Sequence, residues 1–103
     1  MEETPKIYRL ENFAPLVGQN FTLSQEGIEE TIEGELIEAE ASPYPSHPDA
    51  ARDPFSLLFR LDPIYETPQI ACTISHDTLG SIPVLLVPVN SDDKGYYMET
   101  IFS

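Results

Sequence analysis

Residues 53–62 read DPFSLLFRLD, and the alternation in this stretch restricts the fold more than any other feature. Phe55, Leu57, Phe59 and Leu61 are apolar at every second position, with Ser56, Leu58, Arg60 and Asp62 between them. Side chains of a strand point to opposite faces in turn, so this pattern describes a half-buried strand and not a helix. Other segments repeat the theme. FTLSQ (21–25) places Phe21 and Leu23 on one face, IACTISHD (70–77) alternates around a small Cys72, and YYMETIFS closes the chain. The segment IPVLLVPV (82–89) is apolar on both faces, as a central strand would be, with Pro83 and Pro88 marking its ends.

The segment IEETIEGELIEAEA (28–41) reads two ways. Ile28, Ile32 and Leu36 suit a helix face, yet Ile32, Gly34 and Leu36 also alternate, and the apolar parity then moves to Ile37, Ala39 and Ala41. A change of parity inside a strand is the mark of a β-bulge. Gly34 and the β-branched Thr31 and Ile32 favour a long bulged strand over a helix.

Near the start, LENFAPLVGQ (10–19) sets Leu10, Phe13, Leu16 and Val17 at helical spacing. Pro15 keeps that helix short and Gly18 stops it. Residues 1–6 read as a flexible tail, and SPYPSHPDAARDP (42–54), with four prolines in thirteen residues, as a loop. QEG, TLGS and NSDDKG supply turns. A chain of 103 residues fits one domain, 1–103. The expected fold is mostly β: a small antiparallel barrel or sandwich of about six strands with one short N-terminal helix.

Charge narrows the function. Eighteen acidic against five basic residues give −13, which repels phosphates and argues against nucleic acid or an anionic membrane surface as partner. The longest apolar run is eight residues with two prolines, so membrane insertion is not expected. The first residues, MEETPKIYRL, do not form a signal peptide, so the expected site of synthesis is the cytoplasm, compatible with later inclusion in a virion or extracellular assembly.

Catalytic and metal signatures are weak. Ser75, His76 and Asp77 are adjacent, but neighbours in a strand face opposite ways and cannot converge as a triad. His76 is expected to hydrogen-bond the turn beside it. His47 lies in the proline loop, and no His-x-x-x-His spacing exists. NSDDKGYYMETI carries Asn90, Asp92 and Gly95 at calcium-loop spacing, but Lys94 and Ile101 occupy ligand positions. The reading is therefore non-catalytic, with no cofactor and no metal. Glu29, Glu33 and Glu35 share strand parity and could form an acidic stripe; the plainer reading is one solvated face. Arg60 is expected on the outer face, paired with a glutamate of that strand. Tyr96 and Tyr97, one aromatic on each face, are the candidate partner-binding residues; the competing reading makes Tyr96 core and Tyr97 ordinary surface.

FAPLVGQNFTL (13–23), PFSLLFR (54–60), HDTLG (76–80) and LVPV (86–89) occur in this order. The chain resembles a small uncharacterised bacterial family of about a hundred residues, whose genes often neighbour those of phage tail-collar proteins of the microcystin-dependent type. It departs from the family pattern at PQIAC, where Ile70 replaces a turn glycine, at Asp77, and in its YYMETIFS ending. The resemblance implies an accessory structural or interaction role in a phage-tail-like or surface-fibre system, with a tail-collar-type protein or a second copy as partner. It implies no catalytic residue. Two alternatives stay open: an assembly chaperone for such a protein, and a small ligand-binding barrel or minor enzyme.

Overall fold

A computed structural model describes residues 8–41, 54–62 and 68–102. The expected tail (1–6) and all of the expected proline loop except Pro54 lie outside the described residues. The chain forms a short helix α1 (Leu10–Phe13), a 3-10 turn (Ala14–Leu16) and six strands. These are β1 (Asn20–Ser24), β2 (Ile32–Ala41), β3 (Phe55–Leu61), β4 (Ile70–His76), β5 (Gly80–Ser91) and β6 (Tyr96–Phe102). All neighbours are antiparallel and the sheet closes in the order β1-β2-β3-β6-β5-β4. Of the barrel and the sandwich, the barrel is the fold.

β3 shows how alternation builds the wall. Phe55, Leu57, Phe59 and Leu61 are at most 1 % exposed, and Ser56, Leu58 and Arg60 face outward. Phe21, Leu23, Leu36, Ile74, Ile82, Leu86 and Met98 fill the same interior from the other strands. Gly34 is part of this packing, because a Cβ there would come within 3.2 Å of Leu23 Cδ1 and 3.4 Å of Leu61 Cδ1. Among the described residues, Thr100 is the one buried polar side chain.

The helix plugs one end. Phe13 is fully buried, with ring centroids 5.6 Å from Phe55 and 5.5 Å from Phe102, which themselves stack at 4.8 Å. Offset and tilted aromatic contacts of this kind add to the burial of the rings. Leu10 and Leu16 join the core as expected, but Val17 is 44 % exposed. After the turn set by Pro15 the backbone is no longer helical, and Gly18, at φ 94°, redirects it toward β1.

β2 begins at Ile32 rather than Ile28, because the turn at Gly27 leaves Ile28 exposed. The expected bulge is present. Leu36 pairs with Phe59 and Glu38 with Leu58, leaving Ile37 as the extra residue. β5 differs from expectation. Its outer side is open, with Leu85 47 %, Val87 38 % and Val89 50 % exposed. It is also longer than Pro83–Pro88, and both prolines lie inside it. Pro83 pairs with β4 where no register pair joins β5 to β6, and Pro88 precedes a second bulge at Val89. Strands tolerate proline at such partnerless or bulged positions.

Candidate contact surface

Register pairs across β2, β3, β6 and β5 lay the outward side chains in rows. One row runs Glu35, Arg60, Tyr97, Asn90; the next runs Glu38, Leu58, Glu99, Val87; a third joins Glu40, Ser56 and Ile101. The bulge decides this arrangement. Before Ile37 the outward glutamates are at odd numbers, Glu33 and Glu35; after it they are at even numbers, Glu38 and Glu40. One extra residue keeps all four in water. Glu29 of the expected stripe precedes β2 and is not part of it.

Arg60 lies where the sequence indicated, on the outer face opposite Glu35 and 2.7 Å from its Oε1. The hydrogen bond and charge of Glu35 hold the guanidinium even more firmly protonated than usual. Tyr97 is Arg60's register partner on β6, and its hydroxyl donates to Asp92, 3.0 Å from Oδ2. Loss of water raises the Tyr97 phenol above its ordinary range, with Asp92 adding to the effect. Asp92 Oδ1 accepts from the backbone N–H of Lys94 at 2.8 Å and of Gly95 at 3.0 Å. These donors, Lys94 first, hold its carboxyl below the usual range. The carboxylate therefore organises the β5–β6 hairpin loop.

Of the two tyrosines, Tyr96 points inward and is 9 % exposed, while Tyr97 stands half-buried on the outside. His76 caps its turn, with Nδ1 accepting from Thr78 N–H at 3.0 Å. Its Nε2 is 2.8 Å from Gln19 Oε1, and the ring packs on Phe21. Ser75 meets Ser81 at 3.0 Å instead of His76, as alternation requires. Cys72 is 7 % exposed, and burial pushes its thiol up.

A feature missed by the sequence reading lies at the β5–β6 seam. β5 pairs with β4 over Gly80–Leu86 and with β6 over Val87–Ser91, so it passes from one neighbour to the other in mid-strand. β5–β6 pairing ends at Val87 opposite Glu99. Beyond that point the strands diverge around a groove of about 500 Å³ lined by Val84, Leu85, Val87, Glu99, Thr100 and Ile101. Leu85, Val87 and Ile101 (66 % exposed) form its apolar rim. At this seam strand edges are left without a register partner, the kind of edge that strand addition uses. The prolines and the doubled apolar pattern of β5 are the signals that could have located it.

Among the described residues no helix is long and apolar enough to cross a membrane. A family model described as Domain of unknown function (DUF6916) matches residues 8–102. No curated protein and no solved structure matches the chain.

Proposed function

We propose, for a chain that belongs to the DUF6916 family, a non-catalytic role: it works by protein contact, as an accessory subunit of a phage-tail-like or surface-fibre assembly. The observation that carries the contact role is the exposed apolar strip Leu85, Val87 and Ile101 on a barrel whose interior is lined mainly by apolar side chains. A ligand-binding barrel would keep space and a desolvated polar group inside. Here the interior is lined mainly by phenylalanine, leucine and isoleucine, with Thr100 the one buried polar side chain among the described residues. Apolar surface concentrated on one strand pair is instead typical of a contact site. The likeness of FAPLVG and PFSLLFR to the tail-collar-neighbouring family supplies the class of assembly.

The test is a tagged pull-down from the native host at native expression, followed by native mass of the eluate. A stoichiometric co-purifying collar-type protein is expected. Its presence in purified fibres together with this chain would mark a subunit; absence of this chain from mature fibres would mark an assembly chaperone. A lone monomer in the eluate overturns the contact reading.

A further inference from the structure

We propose, building on the contact reading, that the β5–β6 seam binds an extended segment of a partner protein in which apolar residues alternate with lysine or arginine. Three observations converge on that occupant. First, Pro83–Leu86 have register partners only on β4, and Thr100 and Ile101 only on β3. Two strand edges thus flank the groove without meeting, and an added strand gains main-chain hydrogen bonds there. The volume of about 500 Å³ is within the range of ligand clefts.

Second, the groove has two kinds of wall. Val84 packs against the core and Thr100 is buried, so side chains pointing down from an added strand meet an almost dry floor. Leu85, Val87 and Ile101 stand on the rim, where side chains pointing up would lie across them. The long apolar stems of lysine and arginine suit such a rim, with their charged heads reaching past it.

Third, among the described residues the charged side chains in the two rows that run out from the groove are all negative, and Arg60, in the next row, is already paired with Glu35. Glu99 lines the groove, and the register rows carry Glu38 and Glu40 out from Glu99 and Ile101. Among the described residues none of the three has a basic partner. A second copy of this chain is the wrong occupant, because it brings another −13 and sets carboxylate against carboxylate. A basic segment makes the same three glutamates favourable.

The experiment titrates fluorescein-labelled octapeptides into the folded protein and follows anisotropy. The probes are alternating valine–lysine, alternating valine–glutamate and alternating serine–lysine peptides. Valine–lysine is expected to bind, at least tenfold more tightly than either of the others, and to weaken with added salt. The Leu85→Ser/Ile101→Ser variant, altered only at exposed positions, is expected to keep its melting temperature and lose at least tenfold in that affinity. Backbone amide exchange supplies a second readout: the peptide should slow exchange at Leu85 and Ile101 in the wild type. Equal binding of serine–lysine would reduce the effect to charge alone and overturn the proposal. So would binding of valine–glutamate, no binding at millimolar peptide, or binding without protection of those amides. The contact reading fails separately. If a partner found by pull-down stays bound to the Leu85→Ser/Ile101→Ser variant, the seam is wrong and the contact role stands.

Discussion

Replacing Gly95 with alanine sets one methyl group against a backbone carbonyl. Gly95 ends the β5–β6 loop beside Tyr96, which pairs with Leu61. A Cβ at Gly95 would stand 2.7 Å from the Leu61 carbonyl oxygen and 2.9 Å from Arg60 Cδ, with Arg60 Cγ also inside contact distance. Gly95 is not among the glycines with positive φ, so alanine meets no backbone strain of its own. The glycine is there for space. Arg60 can swing away, but the Leu61 carbonyl is backbone of a strand residue paired with Tyr96 and yields less readily. Overpacking of this kind costs about 1–3 kcal/mol. Alanine also stiffens the unfolded chain, which returns about 0.4–1 kcal/mol. A net loss of about 0.5–2 kcal/mol is expected, which for a domain of this size lowers Tm by several degrees. Urea unfolding followed by far-UV circular dichroism measures it, with an unchanged m-value showing that the same structure is lost. The double variant Arg60→Ala/Gly95→Ala separates the two obstacles. It removes the side-chain clash and leaves the carbonyl, so the cost of alanine at 95 should shrink in the Arg60→Ala background without vanishing. A Gly95→Ala protein as stable as wild type would refute the steric reasoning. Complete recovery in the Arg60→Ala background would transfer the whole effect to the arginine.

Other expectations follow from the same geometry. Phe13→Ala removes the plug that touches Phe55 and Phe102, and a loss of about 3–5 kcal/mol is expected by urea unfolding; a loss below about 1 kcal/mol would mean that the helix is not part of the core. Asp92 is held below its ordinary carboxylate range in the folded chain. Its contribution is therefore complete above the unfolded value near 3.8 and is lost as pH falls through the lower folded value. Asp92→Asn should flatten that part of the acid limb in a pH series of melts, and an unchanged limb would contradict the assignment. Cys72 is buried with its thiol shifted away from ionisation, so Ellman's reagent should react slowly until denaturant is added. A fast native reaction would show that the barrel opens there.

How much of this was legible in the sequence depends on whether a residue's partner is fixed by alternation alone. Arg60 opposite a glutamate was legible, because its parity in FSLLFRL places it outside and β2 is the acidic neighbour. Cys72 in the core and His76 at its turn were legible for the same reason. β5 was not, because an apolar pattern on both faces cannot distinguish a strand covered by a second layer from one with an open outer side. Closure supplies no second layer here, and Leu85, Val87 and Val89 stay exposed. The seam was hidden too, since it arises where β5 exchanges β4 for β6, a property of strand tilt in a closed barrel. Parity placed Tyr97 on the outer face, but its hydrogen bond to Asp92 of the preceding loop was not legible. Gly95 looked like an ordinary turn glycine, and the carbonyl it accommodates comes from a strand more than thirty residues earlier in the chain.

The bulge in β2 allows the parity reasoning to be tested on its own. Leu36 pairs with Phe59 and Glu38 with Leu58, so removal of Ile37 makes Leu36 and Glu38 consecutive opposite consecutive partners. The shortened strand then alternates without interruption: Leu36 in, Glu38 out, Ala39 in, Glu40 out. Deleting Ile37 should leave a folded barrel that loses local twist and a half-buried side chain, within about 2 kcal/mol of wild type. Deleting Leu58 should do the opposite. β3 has no bulge, so the deletion must turn one half of the strand over, for example sending Phe55 and Leu57 outward and Ser56 inward. Exposing two such side chains forfeits roughly 3–6 kcal/mol of burial and leaves a polar group inside. For a domain with about 5–15 kcal/mol in all, that is enough to remove cooperative folding. Thermal melts of the two deletions decide the matter. An unfolded Ile37 deletion would mean that the bulge itself is needed to close the barrel, and that it does more than keep four glutamates in water.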